Sequence, residues 1–247
     1  MRAILAFVFA LAVAGNASAA VNAERGFALF SPDGRYFAFE QFGVQDGSGF
    51  PYADIFVIDL DRDEWVKGTP VRELVEDEGV TPGQIRARAL AKAQPTLTSL
   101  KIAEPGEVLA SNPATEQSAD KHRASFGRFF MSQGWDSSKL AVKSDKNYTL
   151  SLAHIPFALP EPCAGEESRQ WGFALTISDD TSGESLEVFR DLSIPASRFC
   201  PQGYDIADII VYRMQWEKER HVALIGMYTP GFEGFSRRLL AVPFTLP

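Results

Sequence analysis

Hydrophobic residues along this chain come in short runs rich in β-branched and aromatic types, bounded by Gly, Pro, Asp and Ser. That pattern predicts antiparallel strands joined by turns rather than amphipathic helices. A strand over 27–30 runs into Ser31-Pro32-Asp33-Gly34, where Pro32 presets φ and Gly34 supplies a positive one. The next strand covers 35–42, with Phe37 and Phe39 alternating against Tyr36 and Ala38 as core-packing strands do. A glycine-rich loop over 43–51 leads to a third strand over 54–60. Strand signals return at 126–130, 140–142, 148–155, 171–177, 186–192, 206–214, 221–228 and 239–244, while 104–123 reads as polar and irregular. One segment differs. Thr81-Pro82-Gly83-Gln84 offers a cap, a proline at the first helical position and a glutamine in the capping-box place, so a helix is expected near 82–93, ending before Pro95.

The expected fold is mainly β: antiparallel meanders, propeller-like or a β-sandwich, with that one helical insertion, in a single domain over 20–247. An internal echo bears on the arrangement. Runs 35–39 and 220–224, the pairs Gly49-Phe50 and Gly234-Phe235, and runs 55–58 and 240–243 share one offset of 185 residues. Repeated strand–loop–strand units at the two ends suggest a blade-like architecture whose termini meet.

Composition narrows the class. With 45% hydrophobic and 23% charged residues, the 247-residue chain can bury a core, so wholesale disorder is excluded. A net charge of −8 argues against a nucleic-acid binder, which needs a basic face. Most of that charge lies in 54–78, and the acid-free stretch 79–103 follows with Arg86, Arg88, Lys92 and Lys101. The helix's basic residues are expected to face the acidic segment or solvent.

The first residues carry an address. Met1-Arg2, an apolar run over 3–14 and Ala17-Ser18-Ala19 form a bacterial-type secretory signal over 1–19, cut after Ala19. The apolar run is shorter than the roughly 20 residues a spanning helix needs, so no stable membrane insertion is expected after cleavage. The mature chain is expected in the periplasm or outside the cell. In that oxidising compartment the two cysteines, Cys163 and Cys200, should join. Closing a loop of about 38 residues contributes about 4 kcal/mol in the chain-entropy model.

Two resemblances add to this. Phe30-Ser31-Pro32-Asp33-Gly34-Arg35-Tyr36-Phe37-Ala38-Phe39 resembles, over some ten residues and once, the blade-opening motif of Tol-type periplasmic propellers. More broadly the chain is similar to a family of predicted secreted proteins, mostly from Gram-negative bacteria, catalogued as a domain of unknown function. The carrying residues are 30–40, the loop Gly43-Val44-Gln45-Asp46-Gly47-Ser48-Gly49-Phe50-Pro51-Tyr52, the run Val57-Ile58-Asp59-Leu60, Trp65 and Gly68-Thr69-Pro70-Val71-Arg72. The likeness implies an exported protein and carries no activity with it.

Candidate chemistry is sparse. Asp59, Asp61 and Asp63 alternate as calcium-loop carboxylates do, but Glu64 stands where an EF-hand needs Gly and Pro70 where it needs Glu. A looser Ca2+ turn is the metal candidate, and a solvated acidic turn the plainer alternative. Asp46, Gly47, Ser48, Gly49 and Phe50 form a loop open to close backbone approach, a candidate ligand or partner contact. That loop is neither a nucleophile elbow nor a phosphate loop. His122, His154 and His221 have no metal-ligand spacing, and no residue stands out as catalytic. Trp65, Trp135, Trp171 and Trp216 serve as core filling or as flat faces for sugar stacking. The expected role is a non-enzymatic envelope accessory that binds a protein or a glycan. A calcium- or small-ligand-binding protein is the alternative, and a hydrolase with a dispersed triad comes third.

Overall fold

The computed structural model describes residues 22–45, 47–116, 118–131, 142–158, 163, 169–215, 218–231 and 234–247. The first sheet contains β1 (Glu24–Phe30), β2 (Tyr36–Val44), β3 (Pro51–Asp59), β4 (Glu64–Trp65), β5 (Val71–Leu74) and β6 (Glu104–Pro105), and α1 (Pro82–Ser99) precedes β6 in the chain. A middle sheet runs in the order β14 (Phe235–Phe244), β13 (Lys218–Pro230), β12 (Gly203–Gln215), β7 (Glu107–Ser111). The third sheet runs β11 (Ser185–Arg190), β10 (Arg169–Asp179), β9 (Val142–Ala158), β8 (Arg123–Met131). Every strand pairing within the sheets is antiparallel.

Three cores glue four layers. Ala38, Ala53, Ile55 and Val57 meet Ile85, Ala89, Ala93 and Leu97 of α1, and the small alanines on both sides let the helix approach the sheet closely. Phe37, Phe39, Phe56 and Ile58, on the other face of the same strands, pack on Ala207, Ile210, Val222 and Leu224 of the middle sheet. Ile206, Ile209, Ala223 and Ile225, on the middle sheet's far face, pack on Leu150, Phe173, Leu175 and Ile177 of the third. The meanders thus stack as a sandwich, and the middle sheet is buried on both faces. A register shift between Ile206 and Asp208 lets Ile206 and Ile209 share a face despite their odd spacing.

The echo is real in three dimensions. Phe37 pairs with Ile58 and Ala38 with Val57; 185 residues on, Val222 pairs with Pro243 and Ala223 with Val242, in the same register. The two hairpins face each other across one core. The ends meet as well: Ala23 N–H donates to the Arg237 carbonyl at 3.0 Å, and Asn22 bridges Arg237.

Two expectations are corrected. The helix does not end before Pro95 but continues to Ser99. Pro95 gives up the N–H that would reach the Ala91 carbonyl and crowds that carbonyl with its ring, a cost offset by placing Leu97 in the buried stripe begun by Ile85, Ala89 and Ala93. The start is as expected, with Thr81 Oγ1 accepting from Gln84 N–H at 3.3 Å and Gln84 Oε1 accepting from Thr81 N–H at 2.8 Å. The irregular stretch 104–123 contains β6 and β7, because β12 supplies a pairing edge that the weak local pattern of 107–111 does not advertise. Lys92 pairs with Glu73 of the acidic segment, as expected, whereas Arg86 grips Glu40 of β2, outside that segment, with two 2.8 Å hydrogen bonds.

A buried ion pair pins the last hairpin. Arg237 Nη2 donates to Asp205 Oδ1 at 2.9 Å and Tyr228 donates to Asp205 Oδ2 at 2.7 Å, with Asp205 and Arg237 only 2% and 4% exposed. A side chain at Gly226 would collide with both charged groups, which is why glycine stands there. Burial and the bond to Asp205 push the Tyr228 phenol up to about 12. Asp205→Ala should cost about 3–5 kcal/mol in urea unfolding, since it strands the Arg237 charge; a loss under about 1 kcal/mol would show that the pair is not buried in solution.

His221 is buried against Phe126 and Phe244, and burial pushes it down to about 4, with Arg128 and Arg213 adding to the effect and Glu219 at 3.6 Å opposing it. Because the folded pKa lies below the unfolded one, the unfolded chain binds the extra proton, and stability falls as pH drops from about 6.5 to about 4. Between pH 7 and pH 5, wild type should lose roughly 2 kcal/mol more than His221→Phe. Parallel losses in the two proteins would mean that His221 stays accessible to protons in the folded state.

Candidate functional site

The last strands of the three meanders lie on one side of the stack, and a cavity of about 640 Å³ opens between their rims. That volume suits a ligand or a short stretch of polymer. On the first-sheet side it is lined from β3, β4 and β5, in the centre by β14, and on the third-sheet side by Phe189 and the 3-10 turn Ala196–Arg198.

Alternation along β3 turns Tyr52, Asp54, Phe56 and Ile58 toward the middle sheet. There a chain of hydrogen bonds joins the two sheets. Leu239 N–H donates to Gln41 Oε1 at 2.7 Å, Gln41 Nε2 donates to Asp54 Oδ2 at 2.9 Å, and Arg238 Nη1 donates to the same oxygen at 3.2 Å. The Arg238 guanidinium lies 3.9 Å over the Tyr52 ring. Burial raises the Asp54 carboxyl above the ordinary carboxylate range, with Gln41 and Arg238 pulling the other way. Burial likewise pushes the Tyr52 phenol up to about 12. Its hydroxyl has no hydrogen-bond partner among the described residues and nestles where a side chain at Gly43 would sit, 2.9 Å from the position of an added Cβ.

The first-sheet rim is aromatic and cationic. Trp65, 48% exposed, tilts against Phe56 at 6.0 Å, and the Arg72 guanidinium stands 5.9 Å from its ring. Among the described residues no carboxylate comes within ion-pair distance of Arg72. Opposite, Arg198 pairs with Asp191 at 2.7 Å and spreads over Phe173 and Phe189. Asp63, at φ 51°, lines the same space; its carboxyl reaches solvent, yet the cavity walls desolvate it enough to raise its pKa, against the pull of Arg198.

The residues marked from sequence fall mostly outside this cavity. Asp46 lies outside the described residues. Gly47 and Gly49 take φ of 76° and 70°, Ser48 donates to Gln45 Oε1 at 3.2 Å, and Gln45 N–H donates to the Phe50 carbonyl at 2.8 Å. This is a self-closed turn, of which Gln45 alone touches the cavity. Asp59 is held by Arg35 at 2.7 Å, which depresses its pKa, and Asp61 by Arg220 at 2.6 Å. Asp63 faces elsewhere, and among the described residues no three metal-capable side chains converge. Arg35 and Arg220 occupy equivalent places in the echoed hairpins, so the acidic turn staples the two together. Cys163 and Cys200 are joined with Cα atoms 5.7 Å apart, anchoring the segment that ends in the Ala196–Arg198 wall. Of the tryptophans, Trp65 lines the site, Trp171 packs beside His154, and Trp135 and Trp216 lie outside the described residues.

Gln41, Tyr52, Arg72, Arg198 and Arg238 were not singled out as site residues from the sequence, although Tyr52 and Arg72 fall in the stretches that carry the family likeness. One signal was available: Arg237-Arg238 interrupts an otherwise apolar strand, and charges there demand buried partners.

Fold and site together define a class: a disulfide-linked, stacked-sheet protein with a cavity at the sheet rims. The chain belongs to the family described as predicted secreted protein (DUF2259), whose model matches residues 38–245. A search of curated proteins finds no match. Among the described residues no helix is long and apolar enough to cross a membrane.

Removing the unpartnered hydroxyl tests the interior of the site. Tyr52→Phe should leave the fold intact and raise its unfolding free energy by about 1 kcal/mol, because a buried orphan donor is deleted. A loss of that size in the urea titration would instead reveal a partner for the hydroxyl.

Proposed function

We propose that this exported chain is a non-enzymatic binding protein of the cell envelope, and that the rim cavity receives part of an envelope protein or glycan. The observation that supports it is the half-exposed Trp65 beside Arg72, which has no carboxylate within ion-pair distance among the described residues, at the mouth of a cavity of about 640 Å³. A flat apolar face beside a cation that feels Asp54 only at longer range leaves interactions open for a ligand. Hydrolysis has less to recommend it: among the described residues no serine is hydrogen-bonded to a histidine, and His154 Nε2 accepts from Tyr204 N–H at 2.9 Å. A calcium role for the acidic turn is disfavoured by the arginines already on Asp59 and Asp61.

The test is thermal melting of the mature, oxidised protein with envelope oligosaccharides and, separately, with a peptide digest of envelope proteins. Saturation at a hundred times Kd stabilises the fold by about 2.7 kcal/mol, a rise of roughly 5–10 °C in Tm. The rise should vanish in Trp65→Ala and Arg72→Ala. A flat series, or a rise that survives both substitutions, would remove the cavity from consideration.

A further inference from the structure

β14 forms one edge of the middle sheet and pairs with β13 without a register shift, so alternate residues turn their N–H and C=O outward. Two bonds identify the outward set. The Arg237 carbonyl accepts from Ala23 N–H, and Leu239 N–H donates to Gln41. Residues 237, 239, 241 and 243 therefore face out, and Pro243, with no N–H to offer, falls where no ladder bond is lost. The Leu239 carbonyl, both groups of Ala241 and the Pro243 carbonyl have no partner of this kind among the described residues. Leu239 to Val242 line the cavity, so this bare stretch of edge opens into it.

Natural sheets usually blunt such an edge with charge, proline, a bulge or a covering segment, and here Pro243 at the far end is the one such device in the stretch. Here Leu240, Ala241 and Val242 are small or apolar, and Arg238 is drawn aside by Asp54 and Tyr52. We propose that an extended polypeptide segment of a partner adds to β14 at Leu239–Pro243 as a fifth strand of the middle sheet. This rests on the cavity being the binding site and names its occupant as peptide.

The chemistry selects that occupant. Unpartnered carbonyls recurring every second residue at 239, 241 and 243, with the Ala241 N–H between them, match the repeat of another backbone, which a sugar ring does not reproduce. An added strand would alternate its side chains as β14 does, where Leu239 and Ala241 face the first sheet and Leu240 and Val242 the third. One set then meets Trp65, Leu74 and Arg72, which calls for apolar side chains and one acid; the other meets Phe189. Outside the cavity lining, the chain segment that supplies Pro195, Ser197 and Arg198 to the cavity also carries the two most exposed large apolar side chains among the described residues, Leu192 at 87% and Phe199 at 60%. Phe199 is held at φ 49°, ψ −147°, a backbone region that disfavours side chains, next to the disulfide-bonded Cys200.

The probe is an array of synthetic heptapeptides built from Val, Leu, Phe and Thr with a single Asp moved through the positions, applied to the full oxidised mature chain. The best binder is remade as two isomers, N-methylated on alternate residues along one edge or along the other. We expect one isomer to bind as the parent does and the other to fall at least about tenfold, the loss of one or more backbone hydrogen bonds. Saturation should slow exchange of the Ala241 amide by at least about tenfold. Arg72→Ala should weaken the Asp peptide by a clearly larger factor than its Asn version. Ala241→Pro, which deletes an outward N–H as Pro243 does naturally, should fold and lose binding.

Equal binding of the two isomers, or an Ala241 amide that exchanges equally fast when saturated, would overturn strand addition while leaving the cavity as a site. If no peptide binds but an oligosaccharide raises Tm in a Trp65-dependent way, the occupant is a glycan and strand addition is wrong. Silence from both sets of probes would overturn this inference and the binding role together.

Discussion

A sheet buried on both faces has to satisfy two cores at once, and nearly everything else in this molecule follows from that demand on the middle sheet. Each of its central strands sends one set of apolar side chains to the first sheet and the other to the third. A sheet so enclosed has no solvated face, so its strands cannot show the polar–apolar alternation of an ordinary antiparallel sheet. The bulge near Ala207 is part of the same solution, since it restores the right parity after an odd step. What an enclosed sheet still exposes is its rim.

Polar groups buried within the stack are tied to specific partners. Asp205 and Arg237 neutralise one another beneath Tyr228, and Gln41, Asp54 and Arg238 form a relay between the echoed hairpins. Such groups add little net stability compared with apolar packing, but a wrong register would leave charges buried and alone. They make the alternative stackings of two similar hairpins expensive. The same relay holds β14 against the first sheet at Leu239 and leaves the strand bare beyond it. Structural specificity at one end of the strand and an open edge at the other are therefore one arrangement.

The cavity's walls come from different layers with different anchors. α1 backs the first sheet through Ala89 and Ala93, the acidic turn is stapled by Arg35 and Arg220, and the third-sheet wall is tied by the disulfide to Cys163. Aromatic rings and guanidinium groups thus stand on supports fixed by packing, ion pairing and covalent linkage. Rigid supports lower the entropy lost when a flexible partner is ordered against them.

Local signals were legible because local physics writes them. The Ser31–Gly34 turn, the Thr81 capping box, the strand runs and the 185-residue echo all depend on neighbouring residues or on a simple repeat, and the sequence carries them openly. The secretory address and the pairing of the only two cysteines belong to the same group. Helix extension through Pro95 depended instead on a buried place for Leu97, and strand formation at 107–111 on the free edge of β12. The site was least legible. Gln41, Tyr52, Arg72, Arg198 and Arg238 lie far apart in the chain and look unremarkable in their own segments. Sequence by itself determined most of the strand segments and, with the family it places the chain in, a secreted destination. Only the stacking of three sheets, which brings their last strands to one side and leaves β14 without a neighbour there, decided that these residues share a cavity.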